Sequence, residues 1–235
     1  MRETIELPAP LKQLFPARIK RPVKAALLSY IFSRAMRELA RLQPGEMPSR
    51  ELLSKLRLGW DNKGFDAKLD YLEEIAKRAI VTEGSVLECG SGLTTLVLGQ
   101  LAGRRNVQTW SLEHNVDWHR RVSNAIERYQ LSGINLCLAP LREYGQFKWY
   151  DPPLAEMPTK FKLVICDGPP ILGGGGRYGL LPVLGDRLET GAVILFDDAK
   201  KEGQPEVLRR WADEQGVSVE LRETEEVSFA LVTCP

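Results

Sequence analysis

Apolar positions along this chain switch between two periods, and the switches divide it into elements. Between Val23 and Leu42, Leu28, Phe32, Ala35, Leu39 and Leu42 recur at helical spacing, while Arg34, Arg37 and Arg41 line another face. Ahead of that helix, Pro8, Pro10, Pro16 and Pro22 deny residues 1–22 a long helix and predict an arm lying over another part of the fold. Pro44-Gly45 breaks the pattern, a short helix is expected from Ser49 to Leu58, and Gly59 to Gly64 reads as a loop. Asp66 to Ile80 is again amphipathic, with Leu69, Leu72, Ile75, Ala76 and Ala79 inward.

From Val86 onward short apolar runs alternate with helical patterns. Strands are expected from Val86 to Cys89, Val107 to Leu112, Ile134 to Leu138, Phe161 to Cys166 and Ala192 to Phe196. Helices are expected from Leu93, from Val116 to Tyr129, from Tyr178 to Leu188 despite Pro182, and from Pro205 to Gln215 with Gly216 just past its end. Val217 to Leu221 and Val227 to Thr233, joined by a short acidic turn, suit an antiparallel pair. The alternation predicts an α/β, Rossmann-like doubly wound sheet, mostly parallel, with helices on both faces. The expected division is an N-terminal helical extension over residues 1–60 and one α/β domain over 61–235.

In such a sheet, ligands gather beyond the carboxyl ends of the strands, and the chemistry-bearing residues fall there. Glycines at 90 and 92 let the chain turn sharply and let a ligand lie against the backbone, and the helix start beyond offers free N–H groups. The third glycine of the dinucleotide fingerprint is missing, and Glu88 stands where it would repel a pyrophosphate but attract a cation. A sulfonium ligand with an amino-acid end, S-adenosylmethionine, suits that turn better than a nicotinamide dinucleotide. Glu113 ends the second strand, placed to accept hydrogen bonds from ribose hydroxyls, with His114 and Leu141 bordering the adenine. Asp167 precedes a rigid Gly-Pro-Pro turn, and Asp197-Asp198 closes the next apolar strand. Side by side, the three form either a Mg²⁺-type site or a lone carboxylate base, Asp167 being the first choice of base. Trp60, in a glycine-flanked loop, either closes over a ligand or plugs the joint between extension and domain. The four glycines 173–176 open a helix through Arg177 and Tyr178, which would hold the acceptor.

Composition narrows the class. A chain of 235 residues with a formal net charge of +1 carries no global field for nucleic acid. Charge is uneven, however: residues 1–43 hold nine Lys/Arg against three Glu, and residues 202–226 hold eight acids against three Arg. The basic helix is expected to pack on the domain with a solvated face; the alternative is peripheral contact with anionic lipid or an acidic partner. Cys89, Cys137, Cys166 and Cys234 sit in or beside apolar runs with no close spacing, as buried small hydrophobes in a reducing compartment. No signal-peptide core or membrane-spanning stretch is evident, so a cytoplasmic location is expected.

Taken together, Leu87-Glu-Cys-Gly-Ser-Gly-Leu-Thr-Thr95, Ser111-Leu-Glu113, Ile165-Cys-Asp-Gly168 and Phe196-Asp-Asp198 resemble the ordered motifs of class I S-adenosylmethionine-dependent methyltransferases. The similarity spans roughly residues 60–235 and is greatest to a bacterial branch with a Gly-Ser-Gly-x-Thr-Thr cradle and an Asp-Gly-Pro-Pro turn. It implies a seven-stranded sheet whose last strand is antiparallel. It also places Glu88, Gly90, Ser91, Gly92, Thr94 and Thr95 around the methionine part, with Asp167 beyond, and Glu113 on the ribose. The acid pattern is similar to the metal ligands of catechol-type O-methyltransferases, although Pro170 replaces the lysine those enzymes use as base. The expected activity is O-methylation of a small-molecule or glycan acceptor. The alternatives are a non-catalytic S-adenosylmethionine-binding module recruited through the basic helix, and an NAD(P)-binding oxidoreductase.

Overall fold

The computed structural model describes residues 17–61, 67–170 and 176–235. Three helices come first: α1 (Ala17–Leu39), α2 (Arg50–Trp60) and α3 (Leu69–Ala79). An alternating series follows: β1 (Val86–Cys89), α4 (Leu93–Leu101), β2 (Thr109–Glu113), α5 (Val116–Arg128) and β3 (Ile134–Leu138). A small antiparallel hairpin, β4 (Leu141–Glu143) and β5 (Lys148–Tyr150), precedes β6 (Phe161–Cys166). The chain ends with α6 (Leu180–Leu184), β7 (Leu188–Phe196), α7 (Gln204–Gln215), β8 (Ser218–Glu223) and β9 (Ser228–Thr233).

Seven strands form one sheet in the order β3-β2-β1-β6-β7-β9-β8. The five strands β3, β2, β1, β6 and β7 are mutually parallel, and β9 enters between β7 and β8, antiparallel to both. This is the expected Rossmann-like architecture. Its central strand β1 is buried at every residue because strands flank it on both sides and helices cover both faces. The edge strand β8 is mostly exposed and carries Glu220, Arg222 and Glu223, charges that discourage pairing with another sheet.

The period-2 alternation sorts side chains into two core layers. Leu163 and Ile165 of β6 and Leu195 of β7 face α1 to α5, whereas Val164 and Cys166, with Ile194 and Phe196, face α6, α7 and the hairpin. The N-terminal helices are continuous with the first layer: Leu39, Leu53, Leu56 and Trp60 belong to the same cluster as Val86 and Ile165. The Tyr71 hydroxyl of α3 donates to the Leu195 carbonyl at 2.8 Å, which ties the helix preceding β1 to the middle of the sheet.

Several expected boundaries shift. Helix α1 runs through Pro22, because a proline's fixed φ is helical and costs one N–H bond there. The loop expected from Gly59 begins only at Asp61. Gly59 lies inside α2, where a Cβ would stand 2.7 Å from Phe32 of α1, so this glycine serves close helix packing instead of a turn. Residues 62–66 lie outside the described residues, as do residues 1–16 and, of the four glycines, 173–175. The helix expected from Tyr178 to Leu188 is the short α6 flanked by 3₁₀ turns, and β7 starts at Leu188. The hairpin β4–β5 was not anticipated at all, since three-residue strands leave no periodicity to read. The four cysteines are unpaired thiols, and burial pushes Cys166 up to about 12. Among the described residues, no helix is long and apolar enough to cross a membrane.

Because α2 shares the core of the sheet, Leu56→Ala is expected to cost about 2–5 kcal/mol in a single cooperative urea transition. A separate early transition for the helices would show instead that the extension folds on its own.

Candidate functional site

Register builds the site. Cys89 of β1 lies level with Leu112 of β2 and Cys166 of β6, and Cys166 lies level with Phe196 of β7. The next residues along the four strands, Gly90, Glu113, Asp167 and Asp197, therefore stand in a row at the carboxyl edge. The ladder continues into this row: Gly90 N donates to Leu112 O, Asp167 N to Cys89 O and Asp197 N to Cys166 O.

The two cradle glycines have different tasks. Gly90 has a φ of +94°, and a Cβ there would press on the backbone of Gly168 from the neighbouring turn, 3.2 Å away. At Gly92 a Cβ would meet nothing closer than Trp118 Cζ2 at 3.9 Å, so this is where the turn is open. Beneath the turn, Glu88 is fully enclosed and accepts hydroxyl hydrogen bonds from Thr94, Thr95 and Ser111. Burial, opposed by those three hydroxyls, raises its pKa to about 7. The structure thus places Glu88, Thr94 and Thr95 together as the internal brace of the cradle, with Glu88 away from its open side.

Glu113 lies beside the turn. Its Oε2 accepts from the Ser91 hydroxyl at 2.9 Å and from Ser91 N at 3.2 Å, and its Oε1 accepts from Asn115 N at 2.8 Å. His114 Nδ1 is buried 3.4 Å from Glu113 Oε1 without a well-formed hydrogen bond, and its ring lies 6.0 Å from that of Tyr150. Tyr150, delivered by β5, has a buried hydroxyl with no partner, and a Cβ on Gly168 would collide with it. Leu141 opens β4, paired with Tyr150, so the hairpin forms the wall expected to border the adenine.

The three aspartates do converge, with one carboxylate oxygen from each within 4.8 Å of the others. A buried arginine joins them. Arg177, only 5 % exposed, donates from Nε to Cys166 O and from Nη2 to Asp167 O and Oδ1, and its Nη2 is 3.5 Å from Asp198 Oδ2. Burial opposes its charge, but Asp167 and the other acids outweigh that and raise its pKa. Lys201 adds a second cation at 2.7 Å from Asp198. The position a divalent ion would take among these oxygens is served by a fixed guanidinium, so the donor set does not fit Mg²⁺.

The acids differ from one another. Asp167 has a 30 % exposed side chain that reaches the cleft. Asp198 sits in the left-handed region at φ +57°, a costly backbone for a non-glycine residue. Asp197 is 5 % exposed with Oδ1 unpartnered, and burial together with Asp167 and Asp198 holds its pKa well above the usual carboxylate range.

The two residues expected to hold the acceptor, Arg177 and Tyr178, both have partners within the protein. Arg177 is spent on the acids, for the reason just given. Tyr178 donates to Glu214 at 2.6 Å, accepts from Arg210 at 2.7 Å and stacks on the Arg210 guanidinium, bracing the loop against α7. Trp60 lines a small cavity of about 20 Å³ with Ala67, Ser91, Gly92, Leu93, Thr94 and Asp167. Two further residues complete this side: Trp118 donates to Ser91 O at 2.6 Å, and Arg121 lies between the indoles of Trp60 and Trp118. Helical spacing assigned Trp118 to the buried side of α5 but gave no hint of its bond to the cradle. A wider groove of about 580 Å³, lined by Arg78, Glu83, Lys162 and Glu189, lies at the amino ends of the strands, far from this chemistry.

The enclosed Glu88 makes stability depend on pH. Its folded pKa of about 7 lies above the unfolded value of 4.5, so the native state binds the extra proton and stability falls as pH rises between the two. The full term is about 3 kcal/mol. Urea unfolding at pH 5 and pH 8 is expected to show that loss in the wild type and a markedly smaller one in Glu88→Gln.

No family model matches the chain, and no curated protein matches it in sequence. Solved structures do match in fold. A precorrin-6y C5,15-methyltransferase from Geobacter metallireducens is 13 % identical over 74 % of this chain and 92 % of its own, with a TM-score of 0.54. An O-methyltransferase from Bacillus cereus, crystallised with S-adenosylhomocysteine, is 14 % identical over 80 % and 93 %, also at 0.54. A tRNA (m1A58) methyltransferase from Aquifex aeolicus is 15 % identical over 79 % and 76 %, again at 0.54. At these identities the likeness is one of architecture: the chain has the Rossmann-like fold, with its mixed seven-stranded sheet flanked by helices, that these methyltransferases share.

Proposed function

We propose that this protein is an S-adenosylmethionine-dependent methyltransferase acting on an oxygen of a small-molecule or glycan acceptor. The observation that carries the reading is the placement of unpartnered buried polar atoms. Trp60, whose Nε1 has no partner, lines the cavity with Gly92 and Asp167; the unpartnered Tyr150 OH lies against Gly168, and Asp197, with Oδ1 unpartnered, follows the end of β7, while four further such atoms among the described residues belong to Thr82, Thr109, Trp149 and Gln204. Buried polar groups are nearly always satisfied, so exceptions at Trp60, Tyr150 and Asp197, near the cradle turn and the carboxyl edge, support a polar ligand there. An adenosine with an amino-acid tail matches the chemistry of these groups.

When bound, the donor supplies an electrophilic methyl group on a sulfonium. The chain's own part is to align and to manage a proton. Glu113 is placed to exchange its hydrogen bonds from Ser91 for those of two ribose hydroxyls, and His114 with the β4–β5 wall encloses the base. Asp167 faces the cleft 2.9 Å from Arg177, which opposes the upward push of burial on its pKa, and a carboxylate there favours a cationic donor. A hydroxyl acceptor must shed its proton as it attacks, and burial lifts the pKa of Asp167 and, further, of Asp197 toward the working range of a general base, a role we assign to Asp197. The acidic rim repels polyphosphate, which favours a small-molecule or glycan acceptor over nucleic acid.

Isothermal titration is expected to show S-adenosylhomocysteine binding, weakened about 10- to 100-fold in Glu113→Ala; binding of NAD(H) in its place would move the protein to the oxidoreductases. Binding without methyl consumption over a broad acceptor panel would make it a non-catalytic module. Asp197→Asn is expected to lower turnover about 10²- to 10⁴-fold. Because the base must be ionised, wild-type kcat/KM should fall on acidification through a pKa above the usual carboxylate range. With Arg177 holding the acids, exhaustive chelation should leave the rate unchanged.

A further inference from the structure

We infer that the indole N–H of Trp60 is the donor that receives the carboxylate of the ligand's amino-acid end, so that the N-terminal helices complete the cofactor pocket. The inference rests on the reading above and assigns one part of that ligand to one part of the site.

Trp60 is the last residue of α2, 95 % buried, and its Nε1 has no hydrogen-bond partner. The contrast with its neighbour is informative. Trp118, stacked edge-on at 6.0 Å, donates its own Nε1 to Ser91 O, whereas the Trp60 donor is left without an acceptor. Mobility of the ring does not account for this. The Arg121 guanidinium lies 4.4 Å from the Trp60 ring and 4.7 Å from the Trp118 ring, and it donates to the Trp60 carbonyl. Phe32 packs on the indole at 5.4 Å. The ring is therefore held in place with a free donor.

That ring lines the same cavity as Ser91, Gly92, Leu93 and Thr94, the residues at the N-terminus of the nine-residue α4. First-turn N–H groups and the helix dipole favour an anion there. The cavity's about 20 Å³ has room for one water or one carboxylate oxygen. It thus suits the small end of the ligand, with the nucleoside running out toward Glu113. Asp167, also on the cavity, supplies the opposite sign for an ammonium group. Anion donors on one wall and a carboxylate on another describe a site for the zwitterion of an α-amino acid.

The test compares two ligands that differ only in that end: S-adenosylhomocysteine, and 5′-methylthioadenosine, which lacks the amino-acid group. Trp60→Phe keeps the apolar ring and removes the donor. Titration calorimetry is expected to show an affinity loss of about 10-fold or more for S-adenosylhomocysteine and an unchanged affinity for methylthioadenosine. Equal losses for both ligands would mean that Trp60 acts only by packing, and no loss for either would overturn the inference outright. Wild-type protein that binds neither ligand would instead sink the methyltransferase reading. Should Trp60→Phe not fold, the wild type still decides: its Trp60 indole resonance in ¹H–¹⁵N spectra should move with S-adenosylhomocysteine and stay put with methylthioadenosine. A shift common to both ligands, or to neither, counts against the proposal.

Discussion

The carboxyl edge of this sheet is possible because one arginine is buried among its acids. The parallel register of β6 and β7 places Asp167, Asp197 and Asp198 together, and three carboxylates at that spacing repel one another strongly in a partly desolvated setting. Arg177 offsets the repulsion. Its guanidinium also satisfies two main-chain carbonyls at the end of β6, so the charge and the turn are fixed by the same side chain. Removing one partner from a buried ionic group costs about 3–5 kcal/mol, which indicates how tightly the site's electrostatics and the fold of this edge are joined. It also explains why a metal-like set of acids here has no need of a metal.

The acids along the edge show how environment divides identical chemistry. Glu88 and Glu113 flank the same turn, yet one is sealed beneath it by three hydroxyls with its pKa raised to about 7, while the other accepts from Ser91 of the turn itself. Asp197 and Asp198 are adjacent in sequence, yet the first is buried with an unsatisfied oxygen and the second is turned outward by a left-handed backbone toward Lys201. In each pair, position relative to solvent and hydrogen-bond donors separates a sealed carboxylate from one that reaches the carboxyl edge.

The helices that precede the α/β unit belong to this arrangement. They share a core layer with β1, β6 and β7, and through Trp60, Arg121 and Trp118 they touch the cradle turn itself. An aromatic and cation-π stack of this kind transmits position without needing water-exposed contacts. The extension is thereby coupled to the open side of the cradle turn.

The sequence by itself determined the alternation of strands and helices, the turn at Gly90 and Gly92, and the presence of Glu113, Asp167 and Asp197-Asp198 at strand ends. Those features are local: hydrophobic period, glycine geometry and the residue after an apolar run are written within a few positions of each other. Only the tertiary structure decided the rest. The glycine-rich stretch before Arg177 says nothing of its bonds to the end of β6 or its approach to Asp198. Trp60 looked like a loop residue because Gly59 reads as a breaker, whereas its partner Phe32 is supplied by another helix. Tyr150 had no signature, since the hairpin that delivers it is held by pairing with Leu141 and by burial against distant strands. Each of these depends on contacts between residues far apart in the chain, and no periodicity along the chain encodes which distant groups will share a desolvated space.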